Sequence, residues 1–201
     1  MTGLDEETED PLQKRAGAVP AELFTARLRL RGPGEADAPA IAALANNPKV
    51  ARMTRSMPWP YGEADARAWI GRMSGPASRT RAFLLALLAD GTVIGAAGLG
   101  ADEQGETEIG YWLGETHWGK GYATEAAQRV TDHAFQDLGQ DRLHAHCLAG
   151  NARSRRVLQK CGFQYTGAGM TRIVSRRGPV PSEDFVLERN VWVALKNWTG
   201  K

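Results

Sequence analysis

The 201-residue sequence has few cysteines, no long apolar run and no dense block of charge. Its two cysteines, Cys147 and Cys161, are too few for a disulfide framework in a chain that can bury its own core, so we expect reduced thiols and a cytoplasmic protein. The longest apolar run, Ala82 to Ala89, has eight residues, whereas a membrane span needs roughly 18. The sequence therefore predicts neither a membrane helix nor a secretory signal.

The charge is unevenly distributed along the chain. Residues 1–20 carry a net charge of −3 out of a total of +2, which leaves +5 for the remainder. We interpret residues 1–20 as an acidic disordered tail and residues 21–201 as one globular domain. Arginine outnumbers lysine 19 to 6, which favours anionic small ligands, but no run of five or six cations indicates a nucleic-acid partner.

Hydrophobic periodicity predicts a mixed α/β domain with a central sheet and helices on its faces. The alternating segments predict strands at Leu23–Arg31, Arg81–Ala89, Thr92–Gly100, Glu106–Leu113, Asp141–Ala149, Phe163–Val174 and Phe185–Val193. Helical spacing predicts helices at Glu35–Asn46, Glu63–Met73, Tyr122–Leu138 and Asn151–Cys161. An Asp90-Gly91 pair between apolar runs predicts a hairpin turn.

The first informative motif is Trp118-Gly119-Lys120-Gly121-Tyr122-Ala123-Thr124-Glu125, between a predicted strand and the best-patterned helix. Two glycines allow backbone N–H groups to turn toward a ligand, and the start of a helix offers unpaired amides and a positive dipole end. An anion site is predicted here. A nucleotide triphosphatase loop would carry Ser or Thr where Gly121 stands, and a plain turn is the remaining alternative.

The second motif is Asn151-Ala152-Arg153-Ser154-Arg155-Arg156-Val157-Leu158-Gln159-Lys160-Cys161-Gly162-Phe163. With the first motif, the opening Ala26-Arg27-Leu28-Arg29-Leu30 and the strand Glu108-Ile109-Gly110-Tyr111-Trp112-Leu113, the sequence resembles the GNAT superfamily of N-acetyltransferases, in particular its RimJ/RimL-like branch. The resemblance implies a single-domain fold with a mostly antiparallel sheet, splayed at a coenzyme site. It also implies acetyl-CoA as co-substrate and an amine acceptor.

The resemblance assigns the coenzyme's pyrophosphate to the loop and its pantetheine arm to the strand end and to the second motif. The implied coenzyme-binding residues are Leu113, Trp118, Gly119, Lys120, Gly121, Tyr122, Ala123, Thr124, Asn151 and Ser154. Many relatives carry Arg or Gln where this chain has Trp118, and a proton-donating Tyr where it has Leu158. We therefore expect the hydroxyl of Ser154, on the same helix face as Asn151 and Leu158, to hydrogen-bond the leaving sulfur.

The acceptor side of the predicted site is less defined. Glu108 is the candidate general base, directly or through water, with an exposed strand glutamate as the alternative. Trp59, Tyr61 and Trp112 are candidates for the acceptor pocket, with core packing as the alternative. His144, His146 and Cys147 do not predict a metal site, because no third ligand is identifiable and the chemistry needs no ion.

Three further alternatives stay open. The acyl group is acetyl, or another such as succinyl. The protein is an enzyme, or an acyl-CoA-binding module without turnover, as the absence of a tyrosine at Leu158 would allow. The oligomeric state is open as well, between a monomer and a homodimer, and the exposed edge strands and the terminal hairpin are compatible with a homodimer.

Overall fold

The structure, a computed structural model, describes residues 22–74, 81–102 and 104–199. The predicted acidic tail lies outside the described residues. The strands are β1 (Glu22–Phe24), β2 (Leu28–Arg31), β3 (Arg81–Leu87), β4 (Val93–Ala101), β5 (Thr107–Leu113), β6 (Arg142–Leu148), β7 (Gln164–Arg172) and β8 (Pro179–Glu188). The α-helices are α1 (Ala38–Ala45), α2 (Pro48–Ala51), α3 (Glu63–Ser74), α4 (Tyr122–Gln136), α5 (Ala152–Lys160) and α6 (Arg189–Thr199).

The eight strands form one sheet in the order β1-β2-β3-β4-β5-β6-β8-β7. Neighbouring strands are antiparallel except β5 and β6, which run parallel. Within the described sheet, their pairing is confined to Glu108 opposite His144, near the start of both strands. The carboxyl-terminal halves of β5 and β6 therefore diverge, and a gap opens in the middle of the sheet.

Each face of the sheet carries its own hydrophobic core. On one face, here the α4 face, α4, α5 and α6 cover a core that includes Leu85, Ala97 and Val130. On the opposite face, here the α1 face, α1, α2 and α3 cover a smaller core that includes Leu84 and Ala96. Because successive strand residues point to opposite faces, the run Leu84-Leu85 supplies both cores. Helices on both faces of a central mixed sheet confirm the predicted fold class.

Two predicted strands have different boundaries in the structure. The prediction of one strand over Leu23–Arg31 is wrong, because a turn separates β1 from β2 and the two strands pair with each other. In this turn the backbone N–H of Thr25 donates to the carbonyl of Leu28 at 2.9 Å. The alternation of Leu28 and Leu30 with arginines belongs to β2 alone.

The prediction of a strand over Phe185–Val193 is also wrong at both ends. Strand β8 begins at Pro179, and helix α6 begins at Arg189. The pairing of β8 with β6 runs from Glu188 back to Ser182. Pro179 and Pro181 precede Ser182 and pair with β7 alone, so the N–H that each proline lacks is not needed for a bond to β6. No helix in the described part of the chain is long and apolar enough to cross a membrane.

Candidate active site

The loop that leads into α4 has the backbone geometry of an anion site. Gly119 and Gly121 have φ values of +76° and +83°, in the left-handed region that glycine adopts without strain. Gly121 is the N-cap of α4, a 15-residue helix, and provides no side-chain cap. Among the described residues, the N–H groups of Tyr122, Ala123 and Thr124 have no acceptor. These amides and the helix dipole together favour a bound anion such as a phosphate group.

The turn between β1 and β2 holds this loop in place. Arg27 donates from Nη1 to the carbonyl of Lys120 at 3.0 Å and from Nε to Oε2 of Glu125 at 2.7 Å. The guanidinium also lies over the ring of Tyr122, 4.5 Å from its centroid. Thr25 donates its hydroxyl proton to Oε1 of Glu125 at 2.6 Å. The loop is thereby fixed before any ligand arrives.

The Glu125 carboxylate is the centre of that contact. Burial opposes its ionisation, but hydrogen bonds from Thr25 and Arg27 outweigh this effect, and the pKa of Glu125 lies below its ordinary value.

Glu125→Gln keeps the side-chain size and removes the charge that orients Arg27. We expect the dissociation constant for acetyl-CoA to rise by about 3- to 10-fold, because the loop then orders only on binding, at a cost of about 1 kcal/mol. Calorimetry measures the constant, and an unchanged value would show that the ion pair does not position the loop.

Trp118, at the head of the loop, links the loop to the end of β5. Its indole Nε1 donates to the carbonyl of Leu113 at 2.8 Å. The guanidinium of Arg153 lies over the indole ring, 5.0 Å from its centroid, and brings a positive charge to the head of the loop. The N–H of Gly114 donates to the carbonyl of Ile94 on β4. Because the backbone N–H groups of successive strand residues point to opposite sides, the N–H of Leu113 points away from β4, toward the gap. Its N–H is therefore the backbone donor at the mouth of the gap.

Asn151 begins α5 on the other side of the gap. Its side-chain oxygen accepts a hydrogen bond from the N–H of Ser154 at 3.1 Å and so caps the helix. This bond uses only the amide oxygen, and the Nδ2 group of Asn151 stays available as a donor.

A cavity of about 400 Å³ occupies the gap between β5 and β6 and reaches both faces of the sheet. On the α4 face it is lined by Tyr111, Cys147, Ser154 and Leu158. On the α1 face it is lined by residues of the segment after α2, of α3 and of the three central strands, among them Arg55, Trp69, Glu108, Trp112 and His146. The cavity thus connects the coenzyme-side helices to an open pocket on the other face.

Two hydroxyl groups meet on the α4 face of the cavity. The phenol oxygen of Tyr111, on β5, lies 2.9 Å from Oγ of Ser154 and 3.2 Å from the Ser154 carbonyl. Burial raises the pKa of Tyr111, so its hydroxyl keeps its proton across the working pH range. When the phenol donates to Oγ, the Ser154 proton is free to point into the cavity.

A charged cluster lies on the α1 face of the cavity. Glu108 on β5 contacts Arg55 at 2.7 Å (Oε2 to Nη2) and His146 on β6 at 3.2 Å (Oε1 to Nδ1). Burial opposes the ionisation of Glu108, but His146 and Arg55 outweigh it, and the pKa of this carboxyl is lowered. Glu108 raises the pKa of His146, against the opposing effect of burial.

Comparison with known proteins agrees with this geometry. Residues 27–164 match the family model described as an acetyltransferase (GNAT) domain, which is more than half of the chain. The chain belongs to the GNAT acetyltransferase family. It is therefore an acyl-CoA-dependent N-acetyltransferase that uses acetyl-CoA, and the family prediction made from the two motifs is confirmed.

One relative and two solved structures illustrate the extent of the similarity. The uncharacterized N-acetyltransferase p20 of Bacillus licheniformis is 32% identical over 149 residues, which are 72% of this chain and 83% of that protein. An acetyltransferase structure from Agrobacterium tumefaciens str. C58 is 25% identical with a TM-score of 0.66, covering 83% of this chain and 94% of its own. Mycobacterium smegmatis RimJ in complex with CoA-disulfide is 21% identical, with a TM-score of 0.69 and coverage of 84% and 89%.

The structure brings some of the predicted site residues of this GNAT protein together and separates others. Glu108, Trp112 and Ser154 line the cavity. Trp59 is 48% exposed and Tyr61 is buried in the α1-face core, and neither lines the cavity. Of the predicted coenzyme residues, Ser154 alone is in the lining of this cavity, whereas Trp118 connects the loop to Leu113 and, through Arg153, to the start of α5.

Sequence reasoning misses the partners that complete the cavity. In the sequence, Tyr111 is only one residue of a predicted strand, and nothing distinguishes Arg55 from the other arginines. His146 enters only as a potential metal ligand, and no group of three or more His, Cys, Asp or Glu in residues 22–74, 81–102 and 104–199 is placed to hold a metal ion. Its alternation with His144 on a predicted strand is the one signal that could have placed it beside a neighbouring strand.

Proposed function

We propose that this acetyltransferase moves the acetyl group of acetyl-CoA to a primary amine, the α-amine of a protein N-terminus or a small-molecule amine, by direct attack in a ternary complex. The observation that carries the proposal is the cavity that passes through the sheet between β5 and β6. It has hydroxyl groups on the face of the anion-binding loop and ionised groups on the opposite face. A donor and an acceptor can thus approach one another from two sides.

The chain has groups suited to each part of the coenzyme. The amides of residues 119–124 would bind the diphosphate, and a Cβ built on Gly119 would meet no atom within 4 Å, so the cradle is open. Lys120 and Arg153 add positive charge near the loop. The backbone of Leu113 and the Nδ2 group of Asn151 would hold the amides of the pantetheine arm. A backbone N–H of β5 near Leu113 would donate to the thioester oxygen as it gains charge.

The amine must be neutral when it attacks. A lysine side chain with a pKa near 10.4 would have to shift by about three units, roughly 4 kcal/mol, to react at neutral pH, whereas an α-amine near 7.8 is already partly neutral. On the α1 face of the cavity, the partly buried carboxylate of Glu108 is already paired with Arg55. This arrangement favours an α-amine or another amine of low pKa.

The two faces of the cavity perform different proton chemistry. Ser154, held by Tyr111, hydrogen-bonds the departing sulfur, while the Glu108 and His146 pair faces the attacking amine. Leu158, where many relatives have a tyrosine, is buried and contributes only apolar surface. The hydroxyl that is absent at position 158 is therefore supplied by Ser154 from one turn earlier on α5.

Thiol release from acetyl-CoA tests the proposal, with a panel of N-terminal peptides, lysine-only peptides with blocked N-termini, and small amines. We expect turnover with free α-amines and at least about tenfold lower kcat/KM with the blocked lysine peptides near pH 7. Succinyl-CoA in parallel measures the acyl preference. Tight coenzyme binding with no turnover on any amine would contradict the proposal and indicate a binding module.

A further inference from the structure

We propose that Nε2 of His146 is the atom that accepts the proton of the attacking amine, that Glu108 is a positioning residue for this imidazole, and that Asp184 stabilises the imidazolium formed. The inference rests on the proposed amine acetylation and deepens it. It assigns the proton-accepting role to a residue of β6 rather than to the Glu108 carboxylate.

The sheet register places His146 beside the open part of the cavity. Glu108 is opposite His144 in the parallel pair, so His146 lies level with Gly110, two residues further along. Glu108, Gly110 and Trp112 share the α1 face of β5, and a Cβ built on Gly110 would meet no atom within 4 Å. Because Gly110 has no side chain, a space remains between the side chains of Glu108 and Trp112, level with the His146 imidazole. An amine can occupy this space.

The two imidazole nitrogens have different surroundings. Nδ1 is buried and lies 3.2 Å from Oε1 of Glu108 in an ion-pair contact that lacks hydrogen-bond alignment, and the negative charge of Glu108 favours a proton on Nδ1. Nε2 lies 3.4 Å from Oδ1 of Asp184, on β8, a carboxylate whose side chain is 39% exposed. His146 lines the cavity, and with the proton of the neutral imidazole on Nδ1 the lone pair of Nε2 is left for an incoming amine. The arrangement is that of a histidine base oriented by a carboxylate.

The surrounding charges suit His146 better than Glu108 to this task. Glu108 and Asp184 both stabilise the imidazolium, while burial and Arg55 oppose it, and the net effect raises the pKa of His146 above its ordinary value. A base is most effective when its pKa lies near the working pH. Glu108 is paired with Arg55 and His146, which lower the pKa of its carboxyl and make it a weak proton acceptor.

The reaction step balances with these residues. The amine nitrogen forms a bond to the thioester carbon, its proton passes to Nε2, and the carbon–sulfur bond breaks. The thiolate, hydrogen-bonded by Ser154, takes a proton from solvent, and the imidazolium returns its proton to solvent. No other reactant is required.

His146→Asn tests the assignment, with His144→Asn as the matched control. His144 is two residues earlier on the same face of the same strand, near Asp102 and Glu106, and does not line the cavity. For His146→Asn we expect kcat to fall by about 100-fold or more, with an unchanged acetyl-CoA dissociation constant and the acidic limb of the kcat/KM profile lost. His144→Asn should stay within about threefold of the wild type. Equal losses in both variants, or a retained acidic limb in His146→Asn, would overturn the assignment.

Glu108→Gln separates positioning from direct catalysis. Removing this charge lowers the pKa of His146, so the acidic limb should move to lower pH, while a Glu108 base would lose the limb altogether. Nitrogen NMR of the imidazoles in the free protein gives a reading independent of turnover: neutral His146 should carry its proton on Nδ1, with a pKa that falls in Glu108→Gln. A proton on Nε2 would overturn the inference even if no amine is acetylated, whereas failure of the amine panel alone contradicts only the proposed function.

Discussion

Replacing Gly119 by alanine is expected to weaken acetyl-CoA binding by at least about tenfold, which corresponds to about 1.4 kcal/mol. The φ of +76° at Gly119 costs an L-residue roughly 1–2 kcal/mol, so the loop either keeps its shape under strain or rotates its peptide planes. Rotation turns the N–H groups away from the position of the diphosphate. The dissociation constant from calorimetry measures the effect, and kcat at saturating coenzyme should change little because the cavity groups are untouched.

Gly91→Ala is the matched control for this substitution. Gly91, in the turn between β3 and β4, also has a φ of +76°, and a Cβ built on it would likewise meet no atom within 4 Å. Both variants should lose a similar free energy of unfolding, about 1 kcal/mol, but only Gly119→Ala should lose coenzyme affinity. Equal affinities in the two variants would show that the loop amides do not hold the coenzyme.

Ser154→Ala should lower kcat by about 100-fold and leave the acetyl-CoA dissociation constant nearly unchanged. The departing thiolate, with a pKa near 8.5, gains a hydrogen bond from Ser154 as the carbon–sulfur bond breaks, so the loss concerns the transition state rather than binding. Tyr111→Phe should reduce kcat by about tenfold, because the Ser154 hydroxyl then loses the phenol oxygen that lies 2.9 Å from it and orients it. Single-turnover kinetics with the preferred amine measures both effects.

The double variant distinguishes a coupled pair from two independent groups. If Tyr111 acts through Ser154, Tyr111→Phe adds little to Ser154→Ala, because the group that it orients is already absent. Multiplicative losses would mean that each hydroxyl contacts the reacting atoms separately. Wild-type kcat in Ser154→Ala across the pH range would remove Ser154 from the reaction.

Local pattern is sufficient for most of the fold. The helix at Tyr122–Gln136 and the hairpin at Asp90-Gly91 follow from spacing and turn chemistry alone. The predicted bounds of β8 are wrong because its prolines are tolerated only where β6 has already ended, a fact of the sheet rather than of the segment. Helix α6 escapes prediction because Val191 and Val193 continue the alternation of β8, while Trp192 is held by α4 through Asp132 at 2.9 Å.

In the candidate site, features within one segment could be predicted from the sequence, and contacts between segments could not. The loop from Gly119 to Thr124 and the Asn151 cap are contiguous segments, so their geometry is visible in the residues themselves. Tyr111 and Ser154 are 43 positions apart, and their contact depends on how α5 packs against β5. The Glu108 and His146 pair depends on one parallel register, which no local pattern encodes. Contacts between residues of different strands and helices therefore could not be predicted from the sequence.

Calorimetry with acetyl-CoA and with S-acetylpantetheine, which has the same thioester and arm but lacks the diphosphate and the phosphorylated adenosine, tests the central claim most directly. If the amides at the start of α4 bind the diphosphate and so deliver the thioester to the gap between β5 and β6, acetyl-CoA should bind at least about 100-fold more tightly, a difference of about 2.7 kcal/mol. The difference should shrink in Gly119→Ala and persist in Gly91→Ala. Equal affinities for the two thioesters, or no heat from acetyl-CoA with demonstrably folded protein, would contradict the account.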